Sequence, residues 1–209
     1  MDGGGADDAI ICGEFEGVPA FHLPVPREIL RRGLVGNLAV TALFLVLGGA
    51  MIVLDAPAVQ IVITAVGLAL VLGYFVRGSV RSIRLGSDLV LTEREIISDD
   101  AGVIKRANWI EVGRVAPFAR GAVWLRTQNQ MLRITTMPGA VRYEGRASLG
   151  QQVDRKVGAE MVVFSERRAG GSELLVSLLT WCKDNRNRPL IGTEAGRDSF
   201  LAWQAGAHD

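Results

Sequence analysis

The sequence predicts a two-part protein: an α-helical membrane hairpin and a mainly β domain on the cytoplasmic side. Three observations predict it. Two uncharged apolar runs lie almost back to back, at 33–54 and 58–76. Arginines flank the pair on its outer sides, and the short connection between the runs holds none. Beyond Arg84 the hydrophobic pattern changes to short segments separated by turn residues.

The totals agree with that division. The chain has 209 residues, 49% of them hydrophobic, and a mean hydropathy of +0.26, high for a purely soluble domain. The apolar excess is concentrated in 33–76. The net charge of +1 gives no global field of the kind that nucleic acid attracts. Charge is uneven along the chain: residues 1–32 hold six acids against three arginines, and residues 77–209 hold twenty basic residues against fifteen acids. Cys12 and Cys182 lie on opposite sides of the apolar runs, which disfavours a disulfide framework and suits a reducing compartment.

A helix over 33–54 would be about 33 Å long, enough for a hydrocarbon core of about 30 Å. The second run is close to the spanning minimum. Asp55-Ala56-Pro57 separates the two, and Pro57 suits a helix boundary. Arg27, Arg31 and Arg32 precede the first run, and Arg77, Arg81 and Arg84 follow the second. The positive-inside rule then places both termini in the cytoplasm and the short loop outside. Tyr74 and Phe75 fall at the cytoplasmic interface. Ala65, Ala69 and Gly73 form a smooth stripe on the second helix, which lets another helix approach closely. Its partner is either the first span, through Gly48 and Gly49, or a foreign helix. Asn37 and Thr41, one turn apart, are candidates for hydrogen bonds across helices, and Thr41 can instead bond its own helix.

For the domain, the pattern predicts strands at 82–85, 89–92, 95–98, 103–108, 110–118, 122–127, 130–135 and 160–165, with turns at 86–87, 99–102 and 128–129. One helix follows. Gly170-Gly171-Ser172 supplies a break and an N-cap, and Glu173 suits the first turn. Leu174, Leu175, Leu178, Leu179 and Cys182 share a face, and Pro189 ends the element. The expected boundaries are an N-terminal arm at 1–32, the hairpin at 33–76, the domain at 77–189 and a tail at 190–209.

The order of about seven strands and a closing helix is that of a pleckstrin-homology-like (PH-like) bent barrel. The stretch from Leu89 through Ile97, followed by Trp109-Ile110-Glu111-Val112, resembles the early strands of bacterial PH-like domains that follow a membrane hairpin. The resemblance covers about residues 81–187, and 137–156 departs from it as a long polar insertion. It implies a bacterial inner-membrane location. It also implies a role like that of photosynthetic reaction-centre assembly factors and other accessory proteins of membrane complexes.

Candidate chemistry is sparse. His22 and His208 lie near the two ends, and no P-loop, HExxH, Cys-x-x-Cys or Gly-x-Gly-x-x-Gly motif occurs. Asp99 and Asp100 read as a solvated turn tip, and Cys182 as a small core residue. We therefore expect no catalytic residues, metal or cofactor. Two interaction surfaces are expected instead. Arg77, Arg81, Arg84, Arg142, Arg146, Arg155 and Lys156 are candidates for contact with anionic lipid. Phe15, Phe21, Phe200, Leu201 and Trp203, in the two chain ends, either dock on a partner or fold back on the domain. The expected function is a non-enzymatic accessory or assembly subunit, with other integral membrane subunits and lipids as partners. Its rival is a stand-alone membrane-surface sensor or lipid-binding regulator.

Overall fold

The computed structural model describes residues 9–54, 57–100, 102–120, 129–145, 160–164, 168 and 170–206. It divides into two units: Met1–Pro26 with Ser87–Asp209, and Arg27–Gly86.

The first unit is a mostly β domain of two antiparallel sheets with helices. It begins with strands β1 (Ile11–Phe15) and β2 (Val18–Pro24). Their two-residue turn is Glu16-Gly17, with φ of 53° and 77°, as a hairpin of this length requires. β2 then pairs with β3 (Ser87–Thr92), from Ala20↔Thr92 to Pro24↔Asp88. β4 (Glu95–Asp100) and β5 (Ile104–Asn108) continue the meander. Thr92 Oγ1 accepts from the Glu95 N–H at 3.1 Å to fix one turn. Asp99 Oδ1 accepts from the Gly102 N–H at 2.8 Å to fix the next, so the Asp99 carboxylate braces the turn. A short strand β8 (Arg142–Glu144) completes the order β1-β2-β3-β4-β5-β8.

A 3₁₀ turn at Trp109–Glu111 leads out of this sheet. The Trp109 indole is buried, and its Nε1–H donates to the Thr92 carbonyl at 2.8 Å. The second sheet has the order β6 (Val112–Arg120), β7 (Asn129–Thr136), β9 (Glu160–Phe164), with a bulge between Val112 and Val115. Pro117 lies in β6, an edge strand, which is where a sheet tolerates proline.

Between the sheets lies one core. Phe21 and Leu23 from β2, Leu89 and Leu91 from β3, Leu132 and Ile134 from β7, and Met161 and Val163 from β9 all contribute. The C-terminal helices complete it. In helix Gly171–Lys183 the predicted apolar stripe is buried, together with Trp181. That helix starts after Gly170, at φ 77°, ahead of the N-cap expected at Ser172. Helix Glu194–Gly206 is capped by Thr193, whose Oγ1 accepts from the Gly196 N–H at 3.0 Å. It buries Phe200 edge-on against Trp181, with ring centroids 6.0 Å apart.

Two boundaries differ from expectation. The N-terminal arm and the C-terminal tail belong to the domain, because Phe21, Leu23 and Phe200 are core residues. And 77–85 is helix where a strand at 82–85 was expected: Arg77, Arg81 and Arg84 recur at helical spacing on an exposed face. The strand expected at 122–127 lies outside the described residues.

The second unit is helical. Helix α1 is Arg27–Val53, and α2 is Ala58–Leu70. A π-helical turn, Val71–Val76, joins α2 to α3, Arg77–Leu85. By length and composition, one helix among the described residues is able to cross a membrane: residues Arg27–Ala50, with mean hydropathy 1.9 over its most apolar window.

Candidate interaction surfaces

Within the helical unit, α1 packs against the chain from 58 to 85. A Cβ placed on Gly48 would stand 3.5 Å from the Thr64 methyl, and one on Gly67 would stand 3.2 Å from the Phe44 ring. Glycine at these two points lets the helices close up. Asn37 Nδ2–H donates to Ser79 Oγ at 2.8 Å, tying α1 to α3. Thr41 bonds within its own helix, to the Asn37 carbonyl at 2.9 Å. Of the expected contact residues, Gly48 lies at the interface, whereas Gly49 has nothing within 4 Å of where its Cβ would stand. Ala65, Ala69 and Gly73 are exposed, so the smooth stripe of the second helix is not the face that α1 covers.

On the domain, the expected docking residues separate. Phe21 and Phe200 are fully buried and offer a partner nothing. The physical reason is their register: Phe21 faces the core beside Leu91, and Phe200 meets Trp181. Leu201 is partly buried against the same core, and Trp203 remains 42% exposed. Phe15 packs on the opposite face of the large sheet, with Ala20, Val90, Ile97 and Ile104.

That face carries a charge cluster that sequence reasoning did not find. Arg106 lies with its guanidinium 5.5 Å from the Phe15 ring centroid. It reaches Glu16 Oε1 at 2.5 Å, Glu95 Oε1 at 3.0 Å and Glu144 Oε1 at 3.2 Å. Arg142 Nη2 binds the other oxygen of Glu95 at 2.7 Å. Arg142 is therefore committed to a carboxylate, which weakens its standing as a lipid contact. The hydrogen bond from Arg106 holds the Glu16 carboxyl below the ordinary glutamate range, and the same bond raises the Arg106 pKa. Arg146, Arg155 and Lys156 lie outside the described residues. Its ion pairs join residues up to ninety positions apart, so no local motif announces it.

A second buried cation is Arg168. Its Nη1–H donates to the Leu23 carbonyl, and burial lowers its pKa to about 10. His22 Nδ1 is 2.9 Å from Asp88 Oδ2. An open groove of about 670 Å³ is lined by Glu93, Arg94, Asn108, Ile110, Glu111, Asn185, Arg188 and Pro189, with Ile110 82% exposed.

Among the described residues, no group of three His, Cys, Asp or Glu side chains is placed to hold a metal. Burial pushes the Cys182 thiol well up, which keeps it protonated, and Cys12 is raised as well, chiefly by burial. No family model matches this sequence, and no curated protein or solved structure matches it either.

Proposed function

We propose that the chain is a non-enzymatic accessory or assembly subunit of a larger membrane protein complex. Its helices anchor it as a two-span hairpin, and its domain docks on the cytoplasmic side. The observation that carries this reading is the uncovered apolar helix surface. Only 6% of the most apolar window of α1 is buried, and the stripe Ala65, Ala69, Gly73 stays open while α1 occupies another face of α2. Small residues on an uncovered helix face are what a neighbouring membrane helix packs against.

Strand pairing supports the two-span form. β2 and β3 are hydrogen-bonded neighbours, so a chain that crosses the bilayer in α1 has to cross back before Ser87. From 58 to 76 the helical backbone is long enough for that return, at about 28 Å. The arginine asymmetry favours a cytoplasmic domain. The two antiparallel sheets and the C-terminal helix over their shared core support the PH-like reading, with β1, β2 and helix Glu194–Gly206 as additions to it. A photosynthetic or respiratory host is proposed on the sequence resemblance.

The test is capture of the intact chain from native membranes in mild detergent, with companions identified and quantified by mass spectrometry. Integral membrane proteins at a fixed ratio are expected. Ala65→Leu with Ala69→Leu should strip them at least tenfold while leaving the chain in the membrane. A lone chain, or companions indifferent to the double substitution, would overturn the proposal.

A further inference from the structure

The helical unit holds six basic side chains, and all six lie in the half of it that carries the start of α1 and the end of α3. Arg27, Arg31 and Arg32 occupy the start of α1, and Arg77, Arg81 and Arg84 lie along α3. The Asn37–Ser79 hydrogen bond holds these two helices side by side. All six residues are exposed, and none has an ion pair or hydrogen-bond partner among the described side chains. Glu28 is the single acid beside them.

This arrangement does not serve the helices themselves. The first turns of α1 carry the positive end of its macrodipole, where cations are disfavoured and anions are bound. Arg27 and Arg31 therefore add to a positive field that Glu28, the one acid in the first turn, offsets only in part. Arg77, Arg81 and Arg84, at helical spacing, present a second row of guanidinium groups. A guanidinium is a planar donor fork that matches phosphate oxygens two at a time.

We propose that the six arginines form one collar that binds the phosphates of anionic phospholipids in the leaflet facing the domain. The inference rests on the membrane-anchor reading and adds a lipid preference to it. The collar favours phosphatidylglycerol over phosphatidylcholine, whose choline cancels the phosphate charge. Each arginine near such a surface contributes about fivefold, and salt weakens the effect.

The experiment uses the full chain. Membranes are first washed with alkaline carbonate. Release of the chain would remove the anchor reading and the collar together, whereas retention leaves the collar to be judged alone. The retained chain is reconstituted in nanodiscs of equal parts phosphatidylglycerol and phosphatidylcholine. It is then released in mild detergent, and its bound lipids are counted by native mass spectrometry. Enrichment of phosphatidylglycerol is expected. It should fall about a hundredfold in Arg77→Gln/Arg81→Gln/Arg84→Gln, with a comparable loss in Arg27→Gln/Arg31→Gln/Arg32→Gln. The matching lysine triples keep the charge without the fork and should lose at most about tenfold, which separates lost charge from lost fold. Equal retention of both lipids by the unaltered chain, or enrichment that survives both glutamine triples, would overturn the collar and leave the anchor standing.

Discussion

Arg106 illustrates how one residue joins distant parts of the sequence. Its side chain is 10% exposed and contacts three carboxylates, one of them in the β1–β2 turn. Glu16 in that turn has a positive φ of 53°, an uncommon conformation for a side chain with a Cβ. The ion pair with Arg106 helps hold it there. Glu16 and Glu144 are more than half exposed, so solvent weakens their share, and Glu95, at 17%, is the better-shielded partner. Arg106→Gln leaves these carboxylates facing one another, and should cost about 3 kcal/mol in denaturant unfolding of the domain. The pH dependence follows from the depressed Glu16 pKa. The unfolded state takes up a proton on this group first, so its contribution is present above the ordinary glutamate range and is lost as pH falls below it. Glu16→Gln should therefore flatten part of the acid-side fall in melting temperature, and an unchanged acid limb would refute the assignment.

At the level of elements, legibility depended on whether the signal was local. β3, β4, β5, β7, β9 and helix Gly171–Lys183 were readable because each is a short segment bounded by turn residues, as in the strands, or carries a 3.6-residue apolar stripe, as in the helix. β1 and β2 were not, since Gly13, Pro19 and Pro24 interrupt them and β3, their route into the sheet, lies some sixty residues further on. Phe21 and Leu23 carried the only period-two hint. Helix Glu194–Gly206 hid in a polar sequence with few apolar anchors. The turn before it makes a close approach that no pattern reveals. Gly192 has φ 85°, and a Cβ there would lie 2.1 Å from the Ala20 nitrogen. Gly192→Ala should force this turn off β2 and destabilise the domain by roughly 2–3 kcal/mol. Thermal unfolding measures the loss. A melting temperature within a degree or so of the parent would mean that the turn does not rest on β2. Of the candidate surfaces, the arginine spacing was legible, but its gathering into a collar required α1 and α3 to be seen tied together.

For the whole molecule, the decisive feature is where the helices are inserted. They interrupt a sheet between two strands that pair directly, from Ala20↔Thr92 to Pro24↔Asp88, with the Val25 N–H donating to the Ser87 carbonyl at 2.9 Å. The chain thus leaves and re-enters the domain at neighbouring points, and a short Gly/Ser turn can span the gap. The domain's core draws on both sides of the insertion, with Phe21 and Leu23 packing in one cluster with Leu89, Leu132 and Leu175. It follows that joining Pro26 to Ser87 through such a turn should give a soluble domain with a single cooperative melt. Starting the chain at Ser87 should not, because removing β2 bares Leu89 and Leu91 and leaves the β3 edge unpaired. The two chains are compared by soluble yield and circular dichroism melts. A well-behaved truncated chain would show that β1 and β2 are dispensable. That would remove the strand-pairing argument for a second crossing and return the first twenty-six residues to the role of an arm.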